Sequence, residues 1–234
     1  MASLPTVYFD NYNAYSEWGF FLVSKTIEPP KPKVYKVEIP GGSGDLDITE
    51  SVFGGIAYND RKITMNFRAI GPQLLWTALK TNIFAAIHGR RMQMIFDDEL
   101  SYYYEGRVEV TDFHYNFDVA EMTVEADCNP FKFEISNTGK NWLWDPFDFV
   151  LGEITDDTIS VSGTKTVTLT IKSMPVCPEF RSTAALTLTY NGMTKTIPAN
   201  KNIKFYDIYL TEGSHKLTFK GNATLKIIYN NGVL

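Results

Sequence analysis

Apolar and polar residues alternate with a period of two along much of this chain. That alternation confines those segments to strands with one buried face and one solvent face. Ile63, Met65 and Phe67 alternate with Lys62, Thr64, Asn66 and Arg68. Met92, Met94 and Phe96 do the same, as do Met122, Val124 and Ala126, and Val167, Leu169 and Ile171. Aromatics make up 14% of the residues, and aromatics and threonine favour strands. At 234 residues the chain is long enough for one large β domain or two small ones, and can bury a core without disulfide staples.

One segment breaks the two-residue period. Leu74, Leu75, Ala78, Leu79, Ile83, Ala86 and Ile87 recur at helical spacing, between Gly71-Pro72 at the start and Gly89 at the end. His88, Arg90 and Arg91 gather at its carbonyl end, where cations favour the helix dipole. Trp76 and Phe84 lie toward the edge of its buried stripe, where padding of the core is the expected role for both. The three prolines in residues 29–32 read as an extended arm or edge. Residues 136–157 carry Gly139, Pro146 and Gly152 around Trp142 and Trp144, and are expected to link two domains. Beyond them only strand patterns occur. Asn191-Gly192 marks a hairpin, and separate strands are expected at residues 203–210, 216–219 and 225–229. The reading is a mainly β protein. Residues 1–135 form a β-sandwich-like domain with one packed helix, and residues 136–234 form a β-sandwich.

Residues 36–67, KVEIPGGSGDLDITESVFGGIAYNDRKITMNF, are the most informative stretch. Val37 and Ile39 alternate with Lys36 and Glu38, which predicts a strand with one buried face. A glycine-rich corner and a long loop then lead to the strand at Ile63. A loop of this kind between regular strands has a positional job, such as contacting a neighbour, and points to assembly instead of catalysis.

The chemistry of the remaining residues agrees. Residues 1–135 carry 12 Lys or Arg against 19 Asp or Glu, a balance of −7, and residues 136–234 carry 10 against 8. An acidic half does not bind phosphates, although it suits a surface that DNA must pass without sticking. Cys128 and Cys177 form no metal-binding spacing and read as reduced, buried thiols. His88, His114 and His215 belong to no metal or nucleophile motif, and no G-x-S-x-G elbow is present. The acids at Asp45 and Asp47, Asp97 to Glu99, and Asp156 and Asp157 read as turn residues, not as a glycosidase pair. Gly41-Gly42-Ser43-Gly44 lacks the lysine and the following helix of a phosphate cradle. No catalytic, metal or cofactor site is expected. The N-terminus has no signal-peptide pattern, and no membrane span or insertion is expected. A sandwich could also hold a sugar on an exposed aromatic; Trp142 and Trp144 are the tryptophans of the second half, and packing of the linker is the competing role for them.

Several segments together resemble the distal tail protein family of long, non-contractile-tailed bacteriophages. They are IPGGSGDLDITE at 39–50, RKITMNF at 61–67, IHGRR at 87–91 and FDDELSYYYEGRVEV at 96–110. The C-terminal LTEGSHKLTFKGNATLKIIYNNGVL at 210–234 is similar to the last strands of the family's sandwich. The resemblance implies a structural, non-enzymatic virion protein at the tail tip or baseplate, made and assembled in the host cytoplasm. Its N-terminal domain would form a homohexameric ring and its C-terminal domain would be a galectin-like β-sandwich. Its partners would be further copies of itself, the tail-tube protein, the tail-tip or tail-associated lysin protein and a receptor-binding protein. DNA would touch it only in passage through the channel. Larger members carry inserted carbohydrate-binding modules, for which 234 residues leave no room, so host attachment is expected to reside in a partner. Within the ring, Asp45, Asp47 and Glu50 are the candidate contacts to a neighbouring subunit. The alternative function is a carbohydrate-binding module for host cell-wall polysaccharide.

Overall fold

The computed structural model describes residues 4–53, 55–72, 76–135, 154–155 and 158–234. The chain divides into two compact units, the first ending at Lys132 and the second running from Phe133 to Leu234. The fold is mainly β, of the β-sandwich type. Trp142, Trp144, Asp156 and Asp157, on which the sequence placed a linker and an acid pair, lie outside the described residues.

The first unit opens with β1 (Val7–Phe9), β2 (Tyr12–Asn13), α1 (Ala14–Trp18) and β3 (Phe21–Ile27). It continues with β4 (Lys36–Glu38), β5 (Asp45–Asp47), α2 (Thr49–Phe53), β6 (Arg61–Ile70) and α3 (Trp76–Ile87). The strands β7 (Arg91–Phe96), β8 (Tyr102–Asn116) and β9 (Val119–Cys128) follow, with β10 (Lys132–Glu134) at the junction of the units. The main sheet runs β2-β1-β7-β8-β9-β6-β3, and every neighbouring pair in it is antiparallel. The alternation along β6 has its expected outcome. Ile63, Met65 and Phe67 are buried, and so are Met122, Val124 and Ala126, which lie opposite them on β9. An extra residue at Thr111 bulges β8 against β9, and a second bulge at Val23 breaks the edge strand β3.

The helix α3 covers this sheet with Ile83 and Ile87 buried. Trp76 pads the core, the role expected for it. It is buried, with its ring 6.4 Å from Phe20 in an edge-on contact. Phe20 belongs to a segment that spacing on the helix cannot reveal. Two helices were not anticipated. One is α1, where the Asn13 side chain accepts hydrogen bonds from the amides of Tyr15 and Ser16 at 3.0 and 2.9 Å. The other is α2. Both have five residues, too few to show a helical period.

The second unit contains β11 (Ile154–Thr155), β12 (Ile159–Ile171), β13 (Glu179–Ser182), β14 (Leu186–Tyr190) and β15 (Met193–Ile197). It ends with β16 (Asn202–Lys204), β17 (Gly213–Tyr229) and β18 (Gly232–Val233). Asn191 and Gly192 join β14 to β15 with φ of 46° and 80°, the mirror-image turn that this dipeptide favours. The strands expected separately at 216–219 and 225–229 are one strand, β17, paired with β12 from Ile159 to Ile171. Gly221 and Gly163 face each other across that pair, with φ of 138° and 74°. Both long strands can therefore bend at the same level, which lets one side of β17 meet β14 and then β13. A side chain at Gly221 would also come within 2.7 Å of Leu186 Cδ2. The strand expected at 203–210 stops at Lys204. A turn closes there through the Ile208 amide and the Phe205 carbonyl at 2.9 Å, and Leu210 bridges to Val176. Phe180, Leu188, Leu217, Phe219, Leu225 and Ile227 fill the core.

Candidate functional site

The stretch at 36–67 folds differently from its sequence reading. The expected loop is itself built: β4 and β5 pair as a hairpin of their own, apart from the main sheet, and α2 follows. The corner at Pro40 turns through Gly41 and Gly44, at φ of 77° and 82°, where other residues would be strained. Its base is tied by paired backbone bonds, from Lys33 N–H to the Ala57 carbonyl and from Asn59 N–H to the Lys31 carbonyl, both 2.8 Å. Tyr58 packs edge-on against Phe131 at 5.9 Å, and the Arg61 guanidinium donates to the Pro130 carbonyl. Above that base the hairpin is an arm.

The predicted buried face of this arm is not buried. Tyr35, Val37, Ile39 and Leu46 are between 41 and 51% exposed. Alternation puts Val37 beside its partner Leu46 on one face, and Lys36, Glu38, Asp45 and Asp47 on the other. The hairpin has the amphipathic pattern of a half-buried sheet with nothing from the described residues covering its apolar side. Val52 on α2 and Ile56 beyond it are exposed as well.

The three candidate acids have different roles here. Asp47 serves the arm's own structure. Its carboxylate accepts from the Thr49 amide at 3.0 Å and from the Thr49 hydroxyl, and Thr49 Oγ1 accepts from the Tyr35 amide at 2.8 Å. Those bonds, and then Lys36 opposite, hold the Asp47 carboxyl below the usual aspartate range. Asp45 lies opposite Glu38, so two carboxylates face each other near the tip. Among the described residues, neither of them, nor Glu50 in the first turn of α2, takes part in an ion pair or side-chain hydrogen bond. Like charges directly opposite on paired strands are unfavourable by roughly 0.2–1 kcal/mol.

The three histidines and two acids of the turn at 97–99 are occupied structurally. His88 Nδ1 accepts from the Val110 amide at 3.1 Å. His114 bonds Asp112 and Glu121 at 3.0 and 2.9 Å, and those two carboxylates raise its pKa. His215 Nε2 donates to the Thr211 carbonyl at 2.7 Å, with the Tyr190 hydroxyl 2.8 Å from Nδ1. In the turn at 97–99, Asp98 pairs with Lys25, and Glu99 pairs with Lys132 and accepts from the Tyr104 hydroxyl. Cys128 is buried as expected, and burial pushes its thiol up to about 12. Cys177 is only half-buried, a correction to the reading of two buried thiols. No cluster of three or more His, Cys, Asp or Glu able to hold a metal occurs among the described residues. No helix among them is long and apolar enough to cross a membrane.

No protein-family profile matches the sequence, and no curated protein matches it. The fold does match. A crystal structure of the SPP1 Dit (gp 19.1) protein, described as a paradigm of the hub adsorption apparatus in Gram-positive infecting phages, superposes with a TM-score of 0.64. The match covers 99% of this chain and 100% of that one at 13% identity. The chain therefore carries a Dit-type distal tail protein fold along its whole length.

Proposed function

We propose that the protein is the structural hub of a phage tail tip. In this reading six copies close into a ring that joins the tail tube to the tail-tip or tail-associated lysin protein and to the adhesion apparatus. DNA passes through the ring's channel. The observation that carries the proposal is the full-length fold match to a hub adsorption protein. The arm supports it, because an amphipathic hairpin with an uncovered apolar face is stable in water only at a cost that a neighbour can relieve. An arm on one surface reaching a different surface of the next copy is a head-to-tail contact, and such contacts form rings when the rotation between copies closes. Of the three candidate acids, Asp45 and Glu50 are free to meet a neighbour, and Asp47 shapes the arm.

Native mass spectrometry and two-dimensional class averages of the purified full chain test the proposal. A hexamer with six-fold averages is the expected result. A chain that stays monomeric at about 100 µM, well above the Kd of a standard interface, refutes closure by the chain alone.

A second reading, binding of wall polysaccharide, is favoured by one feature of the second unit. Tyr206 is 83% exposed on the turn that follows β16, with Tyr209 also exposed and Asp207 paired to Lys195. Exposed rings on a fixed turn can stack on a sugar. Calorimetry with host wall polysaccharide decides it, and absence of heat sinks it.

A further inference from the structure

One sheet face of the second unit is built from threonine and lysine. Alternation turns Leu188, Leu217 and Phe219 to the core, so the residues between them face outward. Register then aligns Thr166 of β12, Thr218 of β17, Thr189 of β14 and Thr194 of β15 in one row across four strands. Beside it a second row runs Thr164, Lys220, Thr187 and Thr196. On the other side Lys216 stands opposite Thr168. The hydroxyls of Thr166 and Thr218 lie 3.0 Å apart. Thr187 and Thr218 are half-buried, and the rest of these side chains are exposed. The grid repeats about every 5 Å across the strands and about every 7 Å along them. Neither row contains an acid or an aromatic ring, and among the described residues Lys216 and Lys220 have no carboxylate partner. Strand propensity alone does not produce this pattern. It would favour threonine equally on the open face of the main sheet, which instead carries Lys62 paired with Glu125 and Arg68 paired with Glu121.

We propose that this face binds an anionic, hydroxyl-bearing polymer chain, a role separate from that of the hub. A chain running along β17 passes Lys216, Thr218 and Lys220 in turn, the two lysines about 14 Å apart along the strand. The ammoniums meet acidic groups of the polymer, and threonines of β12 and β14 on either flank donate to or accept from its hydroxyls. Three other occupants fit the face less well. A protein partner needs an apolar core to its interface, and neither row offers one. Single-stranded nucleic acid and neutral sugars stack on aromatic rings, which the rows lack. Duplex DNA draws its affinity from many cations, and the face carries Lys216 and Lys220 alone in these rows. The site is also distinct from the Tyr206 turn. Lys195, which pairs with Asp207 beside Tyr206, lies opposite Leu188 and so on the other face of β15 from Thr194 and Thr196.

Calorimetry of the full chain at low salt tests the proposal, with polygalacturonate as the carboxylate probe and poly(glycerol phosphate) as the phosphodiester probe. At least one of them binds, binding weakens by about tenfold or more at high salt, and uncharged dextran gives no heat. Lys216→Glu with Lys220→Glu lowers the affinity by about tenfold or more. Thr166→Val with Thr189→Val lowers it by about tenfold, because valine keeps the shape and strand preference of threonine and removes the hydroxyl. Tyr206→Ala changes it by less than about twofold, as a substitution at a separate site should. Urea midpoints confirm that each variant folds. Absence of heat with both anionic probes overturns the proposal, and so does dextran binding as tightly as they do. Tighter binding of duplex DNA than of either polymer overturns it as well, as do lysine and threonine variants that bind like the wild type. Ring closure is read separately by native mass spectrometry, so the hub reading stands or falls on its own result.

Discussion

Replacing Gly106 with alanine probes how closely the main sheet is packed. Gly106 lies in β8 between Met92 of β7 and Cys128 of β9. A methyl group there would sit 2.4 Å from the Asp127 carbonyl oxygen and 2.7 Å from both Cα and Sγ of Cys128. Two of these three atoms are backbone and cannot swing away, so β8 must retreat from β9 by about 1 Å, toward β7. Overpacking of this kind costs about 1–3 kcal/mol, and a strained ladder hydrogen bond about 1 more. The expected loss is about 3 kcal/mol, which at ordinary urea sensitivities moves the midpoint down by about 1–3 M. Urea unfolding followed by hydrogen exchange of the β8 and β9 amides reads the first unit directly. Adding Cys128→Ala removes only the sulfur contact and recovers less than half of the loss. A midpoint within about 0.3 M of wild type would refute the steric argument, since no rotamer change can clear a backbone oxygen.

Other perturbations address the arm, the second core and the titrating groups. Bulky residues at Gly41 and Gly42 together reduce ring formation while leaving the urea midpoint nearly unchanged, because the corner is exposed and set apart from the core; unaltered hexamers would count against this. Phe180→Ala, at the centre of the second core 6.0 Å from Phe219, costs about 3–5 kcal/mol, and a loss under about 1 kcal/mol by denaturation would contradict that packing. The His114 ring titrates above 6.5 by NMR, with the Asp112 and then the Glu121 hydrogen bonds raising it. The stabilisation from that charged trio is complete below pH 6.5 and fades as pH rises through the folded value. A midpoint at or below 6.5 would show the trio does not form in solution. With a thiol reagent at pH 8 the native chain exposes Cys177 alone, since Cys128 is buried and raised to about 12; rapid reaction of both thiols would show that β8 and β9 open readily.

Where a segment's structure follows from its own period, the sequence sufficed. The face of β6 that carries Ile63, Met65 and Phe67 could be read from alternation alone. So could the helix body from Ala78 to Ile87 and the turn at Asn191-Gly192, because backbone periodicity and left-handed φ are local properties. The same reasoning identified Val37 and Ile39 as an apolar face. It could not say that no part of the described chain covers that face, because burial depends on what lies opposite in space. Residues 216–219 and 225–229 read as two strands, yet they are one that can bend at Gly221, a distinction set by its partner Gly163 some sixty positions earlier. The helix pattern assigns Trp76 to the core, but its ring partner Phe20 comes from another element and is not legible from that pattern. The assembly reading likewise began as the motif order around residues 36–67. The tertiary structure changed the expected loop into a built arm and separated Asp47 as its internal brace from Asp45 and Glu50. Local pattern determines which side of a strand is apolar. Only the folded chain decides whether that side is already covered or is left for another molecule.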